Sequence, residues 1–202
     1  MPRLPRELKV EIADEELDLY LRILQHSDDQ ALADAINAGK SHLTKYLDWA
    51  EGKYGVVEAN EFIAIAREHW RKGTGFGFGI FNEQDLVGHI MVHDLDIDDK
   101  KNRKEDDAEI GYWISSDWTR KGIATAALKR MIDFAFEELA LPQLKLIVRS
   151  VNSGSNRVAE KAGFKKVRDY RDSRLKFNEY VLENKDYPVK DFQKEQQDKD
   201  EE

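Results

Sequence analysis

Residues 105–135 read Glu105-Asp-Asp-Ala-Glu-Ile-Gly-Tyr-Trp-Ile-Ser-Ser-Asp-Trp-Thr-Arg-Lys-Gly-Ile-Ala-Thr-Ala-Ala-Leu-Lys-Arg-Met-Ile-Asp-Phe-Ala135. Three patterns follow one another without a gap. Ala108 to Ser115 carries the β-formers Ile110, Tyr112, Trp113 and Ile114 and reads as a strand. Ser116 to Lys121 is short and polar and reads as a turn. From Gly122 the apolar residues Leu128, Met131, Ile132, Ala135 and Leu139 recur at helical spacing. The first turn of a helix leaves backbone N–H groups without partners, and its dipole makes that end positive. Gly122 lets an anion approach the backbone, and small Ala124 keeps the approach open. Arg120 and Lys121 add charge beside it. The turn is expected to hold a phosphate or pyrophosphate; the plainer alternative is that Gly122 only eases the turn.

The rest of the chain frames this unit. Leu8, Val10 and Ile12, then Leu17, Leu19, Leu21 and Ile23, alternate and predict two strands around the acidic turn at 13–16. A short helix over 28–38 should end at Gly39, and residues 41–52 continue as helix or irregular turn. A helix from Val57 to Lys72 is expected to face Phe62, Ile65, Ala66, His69 and Trp70 inward and to stop at Gly73. Gly75 to Phe81 and Leu86 to Asp94 read as strands about a hairpin turn at 82–85. The GxGxG within the first is no nucleotide fingerprint, since no helix follows it. Residues 96–107 form a charged loop read as a solvated hairpin tip, without calcium-loop spacing. Leu144 to Val151 is a buried strand, 154–162 a short helix, and Phe164 to Tyr170 and Glu179 to Leu182 the last strands, with a basic link over 171–178.

Composition narrows the function. The 202 residues are 41% hydrophobic and 36% charged, which suits a single domain with its own core. No apolar run approaches the ~18 residues needed to cross a bilayer, and the basic N-terminus lacks the apolar stretch of a signal peptide. With no cysteine, disulfides, cysteine nucleophiles and thiolate metal sites are excluded. The formal net charge of −8 disfavours nucleic acid and favours cationic partners such as an amine. These properties fit a cytoplasmic protein with no membrane partner and no metal; a homodimer is left open.

Two blocks carry a resemblance. Glu109-Ile-Gly-Tyr-Trp-Ile114 with Trp118-Thr-Arg-Lys-Gly-Ile-Ala-Thr125 resembles motif A of the GNAT acetyltransferases, and Val151-Asn-Ser-Gly-Ser-Asn-Arg-Val-Ala-Glu-Lys-Ala-Gly-Phe164 resembles their motif B. The version is similar to the RimJ/RimL type, which acetylates protein N-termini, including those of ribosomal proteins. The resemblance spans roughly residues 8–182. It implies an α/β (α+β) GNAT fold: a mixed, mostly antiparallel sheet of six to seven strands with helices on both faces. One domain would cover 1–182, followed by a polar, mobile tail over 183–202. It also implies acetyl-CoA as co-substrate. Gly122 and Ala124 match the family's pyrophosphate loop, whereas Thr119 stands where Gln or Arg is usual.

Candidate roles follow from the resemblance and from the residues. The main chain of Thr119, Arg120, Lys121, Gly122, Ile123, Ala124 and Thr125 would wrap the diphosphate. The strand end Trp113, Ile114 and Ser115 should splay from its neighbour near the motif B turn and offer backbone groups to the pantetheine arm, with Asn152 and Ser155 contacting the cofactor. Ser155 would protonate or hydrogen-bond the leaving sulfur; Tyr112 is an alternative acid, on the opposite strand face from Glu109. Asn152 to Ser155 is equally good turn and cap chemistry. Glu109 is the candidate base, acting through water, with an ion pair to a basic neighbour as its alternative. His89 or His93 could relay a proton. Tyr46 and Trp49, with Leu43 and Leu47, would line the acceptor groove or else only pack their helix. Three functions remain: acetylation of a protein N-terminal amine, acetylation of a polyamine or aminoglycoside, and a catalytically silent coenzyme-A-binding module. An unrelated phosphate-binding αβ protein would require motif B to be coincidence.

Overall fold

The computed structural model describes residues 4–12, 17–83, 85–95 and 108–186. The expected turn at 13–16, the charged loop at 96–107 and most of the C-terminal tail lie outside them. Among the described residues the chain forms β1 (Glu7–Val10), β2 (Leu19–Arg22), α1 (Asp29–Leu43), α2 (Val56–Lys72), β3 (Phe76–Asn82), β4 (Asp85–His93), β5 (Glu109–Ile114), α3 (Ile123–Asp133), β6 (Gln143–Arg149), α4 (Ser153–Lys161), β7 (Lys165–Asp172) and β8 (Leu175–Glu183). The eight strands make one sheet in the order β1-β2-β3-β4-β5-β6-β8-β7, one strand more than the expected upper bound.

Strand alternation sorts the side chains into two cores. On one face Ile110 and Ile114 of β5 and Leu144, Leu146 and Val148 of β6 pack with Ile123, Ala127, Leu128 and Met131 of α3 and Ala159 of α4. On the other, Trp113 and Leu86 pack with Leu32 and Ile36 of α1 and Ala59 and Ile63 of α2. Burying such aliphatic side chains stabilises by roughly 1.5–3 kcal/mol each, which gives the layers their cohesion.

Several local expectations are corrected. Gly39 does not end α1, which runs four residues further. A side chain there would come within 3.4 Å of the Ser115 Cα, so this glycine lets the helix press against the end of β5. In α2, Ile63 faces inward and Ile65 is 59% exposed; a helical period in which both are apolar does not fix the face. Gly73 does stop α2, in the left-handed conformation with φ 72°. The helix begun at Gly122 is α-helical only to Asp133 and widens to a π-helical turn at Phe134–Glu138. The supposed basic link over 171–178 is mostly strand, because Leu175–Glu183 pairs with β6 on one side and β7 on the other.

One feature of the sheet sets the position of the site. β5 and β6 are parallel, while the other strand pairs are antiparallel. They share a single register pair, Glu109 with Lys145, beside a hydrogen bond of 2.8 Å from the Lys145 N–H to the Ala108 carbonyl. Beyond it, β5 has no ladder partner on the β6 side among the described residues. A seam therefore opens from Gly111 toward Ile114.

Candidate active site

The α3 start lies where β5 ends. Gly122 is its N-cap, at φ 81°, and Arg120 also has positive φ, 65°. No side chain caps the helix, and the amides of Ile123, Ala124 and Thr125 donate to no acceptor among the described residues. Among the described residues the space over Gly122 is open: a Cβ there would meet only the Ile12 Cδ1, at 3.9 Å. Backbone donors at a positive helix end, with no protein acceptor and room above them, fit a diphosphate. Lys121 lies with its ammonium 4.5 Å from the Trp118 ring centre. Thr119 turns inward, its hydroxyl donating to the Ser116 carbonyl at 2.8 Å, so its side chain braces the turn. Ser115 is buried, and its N–H is already bonded to the Val87 carbonyl at 2.9 Å. That amide is therefore not free for a cofactor, in contrast to the amides after Gly122.

Motif B closes the seam from the β6 side. Asn152 caps α4, accepting from the Ser155 N–H at 3.1 Å. The Ser155 hydroxyl lies 2.7 Å from the Tyr112 hydroxyl, so the two candidate acids are one hydrogen-bonded pair. Burial pushes the Tyr112 phenol up to about 12, against the Ser155 hydrogen bond. Sequence reading missed the hub beneath this turn. Asn156 donates to the Asn152 carbonyl at 2.6 Å and accepts from Asn178 and Tyr180 at 2.7 and 2.8 Å. Its signal was weak, an asparagine among helical residues with partners 22 and 24 positions away.

Glu109 stands on the opposite face of β5. It pairs in register with His93 of β4 and with Lys145 of β6. Burial raises its proton affinity above the ordinary carboxylate range; His93 and Lys145 oppose the shift, and Asp94 and Glu179 add to it. No direct ion pair holds it among the described residues. His93 shares a 2.9 Å contact with the Asp94 carboxylate. His89 is different. It is buried under Phe62, ring centres 5.1 Å apart, and among the described residues its Nε2 has no partner; burial lowers its pKa to about 4. The ring is packed in the core against α2, and no hydrogen bond among the described residues links that nitrogen to Glu109 or His93.

The same face continues as a floor across three strands: the half-buried Ile147 of β6, Phe177 of β8 and Tyr170 of β7 and the buried Glu179 of β8 are joined by cross-strand pairing. Glu179 is neutralised by Arg168 at 2.7 Å, and Tyr170 stacks on Phe177 at 5.6 Å. The turn Asp48–Ala50 rises beside this floor. Trp49 is 48% exposed there, its ring 6.4 Å from Trp113 and 6.3 Å from Tyr54. Tyr46 instead lies edge-on to His42 at 5.9 Å. The structure thus groups Trp49 with Trp113 and His93 with Glu109. Among the described residues there is no cluster of metal-ligating side chains, and no helix is long and apolar enough to cross a membrane.

Comparison with known proteins agrees with this layout. The acetyltransferase (GNAT) domain family matches residues 18–165. The "putative ribosomal N-acetyltransferase YdaF" of Bacillus subtilis is 35% identical over 147 residues, 72% of this chain and 77% of that protein. A crystal structure described as a probable acetyltransferase is 28% identical with a TM-score of 0.76, covering 89% of this chain and 99% of the other. Mycobacterium smegmatis RimJ, solved with CoA-disulfide, shares the fold at a TM-score of 0.75 and 23% identity, over 90% of this chain and 88% of its own. The family match covers the strand, the glycine-started helix and the motif B turn that meet at the seam, and the chain belongs to the GNAT acetyltransferase family and is an acetyl-CoA-dependent N-acetyltransferase.

Proposed function

We propose that the chain acetylates the N-terminal amine of a protein, of the ribosomal-protein type. The observation that carries this reading is the seam itself, with a carboxylate on one face, Glu109, and a hydroxyl pair on the other, Ser155 and Tyr112. Acetyl-CoA supplies an activated acetyl thioester. The amides of Ile123, Ala124 and Thr125 bind its diphosphate, and the unpaired edge of β5 receives the amide-bearing arm. An α-amino group titrates near ~8 against ~10.4 for a lysine, so a protein N-terminus needs little help to become neutral. Glu109, with raised proton affinity, takes the proton the amine loses, through water. Tyr112 stays protonated and donates to Ser155, which leaves the Ser155 hydrogen free for the departing thiolate.

The relative named for a ribosomal acceptor supports a protein substrate. The half-buried floor from Ile147 to Tyr170, across β6, β8 and β7, would lie beside an extended segment beyond the amine. A cytoplasmic site of action goes with such an acceptor. The test is a side-by-side assay of short peptides with free N-termini, spermidine and an aminoglycoside, following thiol release and product mass. Peptides acetylated at the α-amine well above the small amines support the reading. Turnover confined to spermidine or the aminoglycoside overturns the acceptor. Cofactor binding without turnover on any of them overturns the protein acceptor as well.

A further inference from the structure

The turn that carries Trp49 is held from two sides. From α1, Lys40 donates to the Gly52 carbonyl and Asn37 to the Tyr54 carbonyl, both at 2.7 Å. From beyond the seam, Arg149 at the end of β6 donates to the Asp48 carboxylate at 2.5 Å and to the Lys45 carbonyl at 3.2 Å. Arg149 alternates with the buried Val148, so it shares the open face with Lys145 and Ile147, opposite Phe177 of β8. Its side chain is 14% exposed while that of Asp48 is 74% exposed; the guanidinium lies beneath the turn and reaches up to it. An ion pair with one partner so exposed contributes little to stability. Geometry is its stronger effect, because a planar fork making two bonds fixes both distance and direction, which a lysine cannot do.

We infer that Arg149 is a positioning residue for the acceptor: it clamps the Asp48–Ala50 turn to β6 and so sets the distance between the Trp49–Trp113 wall and the floor of Ile147 and Phe177. This rests on the reading of that face as the acceptor groove. Asp48 is the other half of the clamp. Neither residue touches the helix-start amides or the Tyr112–Ser155 pair, so the clamp governs how the acceptor sits and leaves cofactor binding alone.

The test uses the full chain with Arg149→Met, Asp48→Ala, the double variant and Arg149→Lys, assayed on the best peptide from the panel above. Each single variant should raise the peptide KM about tenfold, with kcat within about twofold and the acetyl-CoA KM unchanged. The double variant should be no worse than Arg149→Met, which already removes both the Asp48 and the Lys45 contact, and Arg149→Lys should recover only part. Asp48→Ala sits at an exposed turn and carries the test if Arg149→Met fails to fold. An unchanged peptide KM in Asp48→Ala, or additive losses in the double variant, overturns the clamp. If wild type acetylates no amine, the acceptor reading fails separately. Acrylamide quenching of Trp49, taken as the difference from Trp49→Phe, then still decides. Quenching that rises in both single variants keeps the clamp, and unchanged quenching removes it.

Discussion

The hydroxyl of Tyr112 and the hydroxyl of Ser155 lie 2.7 Å apart, 43 positions apart in the chain, on the opposite strand face from Glu109. In the mechanism proposed above, proton donation and proton removal therefore fall on two sides of the β5–β6 seam. Ser155→Ala should lower kcat by about 100-fold, the lower range for a lost general acid. Tyr112→Phe should lower it less, and the double variant should match Ser155→Ala, because the two act in series. Steady-state kinetics with calorimetry of coenzyme A checks this; equal cofactor affinity throughout is expected.

Glu109 gives a pH prediction. Burial holds its folded pKa above the ordinary carboxylate value, so kcat/KM should rise with pH along a limb above that range, and Glu109→Gln should abolish the limb. Lys145 pulls the other way by favouring the ionised form. Lys145→Gln should therefore move the limb to higher pH. A pH–rate profile that moves down in Lys145→Gln contradicts the assignment.

Gly122 has space for a side chain but not the backbone for one. At φ 81°, Gly122→Ala should cost about 1–2 kcal/mol, seen as a lower melting temperature and weaker coenzyme A binding. Gly122→Asn should cost less, since asparagine tolerates the left-handed region. Equal melting temperatures for alanine and wild type would be inconsistent with that conformation.

His89 makes the fold acid-sensitive. Its folded pKa, about 4, lies below the ordinary 6.5. As pH falls the unfolded chain takes up the proton first, so stability is lost between these values and the loss approaches about 3 kcal/mol. Urea unfolding at neutral pH and near pH 4.5 should show a smaller difference in His89→Leu than in wild type.

Features legible in the sequence were those set by near neighbours. The strand, basic turn and helix over 108–133 follow from alternation giving way to helical spacing at one glycine, and Asn152 and Ser155 from a compact block. Less legible were features fixed by distant partners. Gly39 looked like a stop because its reason for being glycine, the Ser115 backbone, is 76 positions away. Arg149 and Asp48 were ordinary surface charges until the fold set them together. Glu179 read as the start of a strand that in fact begins at Leu175, because the short Leu175-Lys176-Phe177 alternation sits in a stretch dominated by the basic residues Arg171, Arg174 and Lys176.

The parallel pair of β5 and β6 makes the sheet two leaves fastened by one clasp, Glu109 beside Lys145. Rungs that an uninterrupted sheet would supply are left out along this line, and α3 and α4 span it from one side only. A guest with its own amides could complete the missing rungs and act as a rivet between the leaves. The stiffness of the molecule would then depend on what it carries.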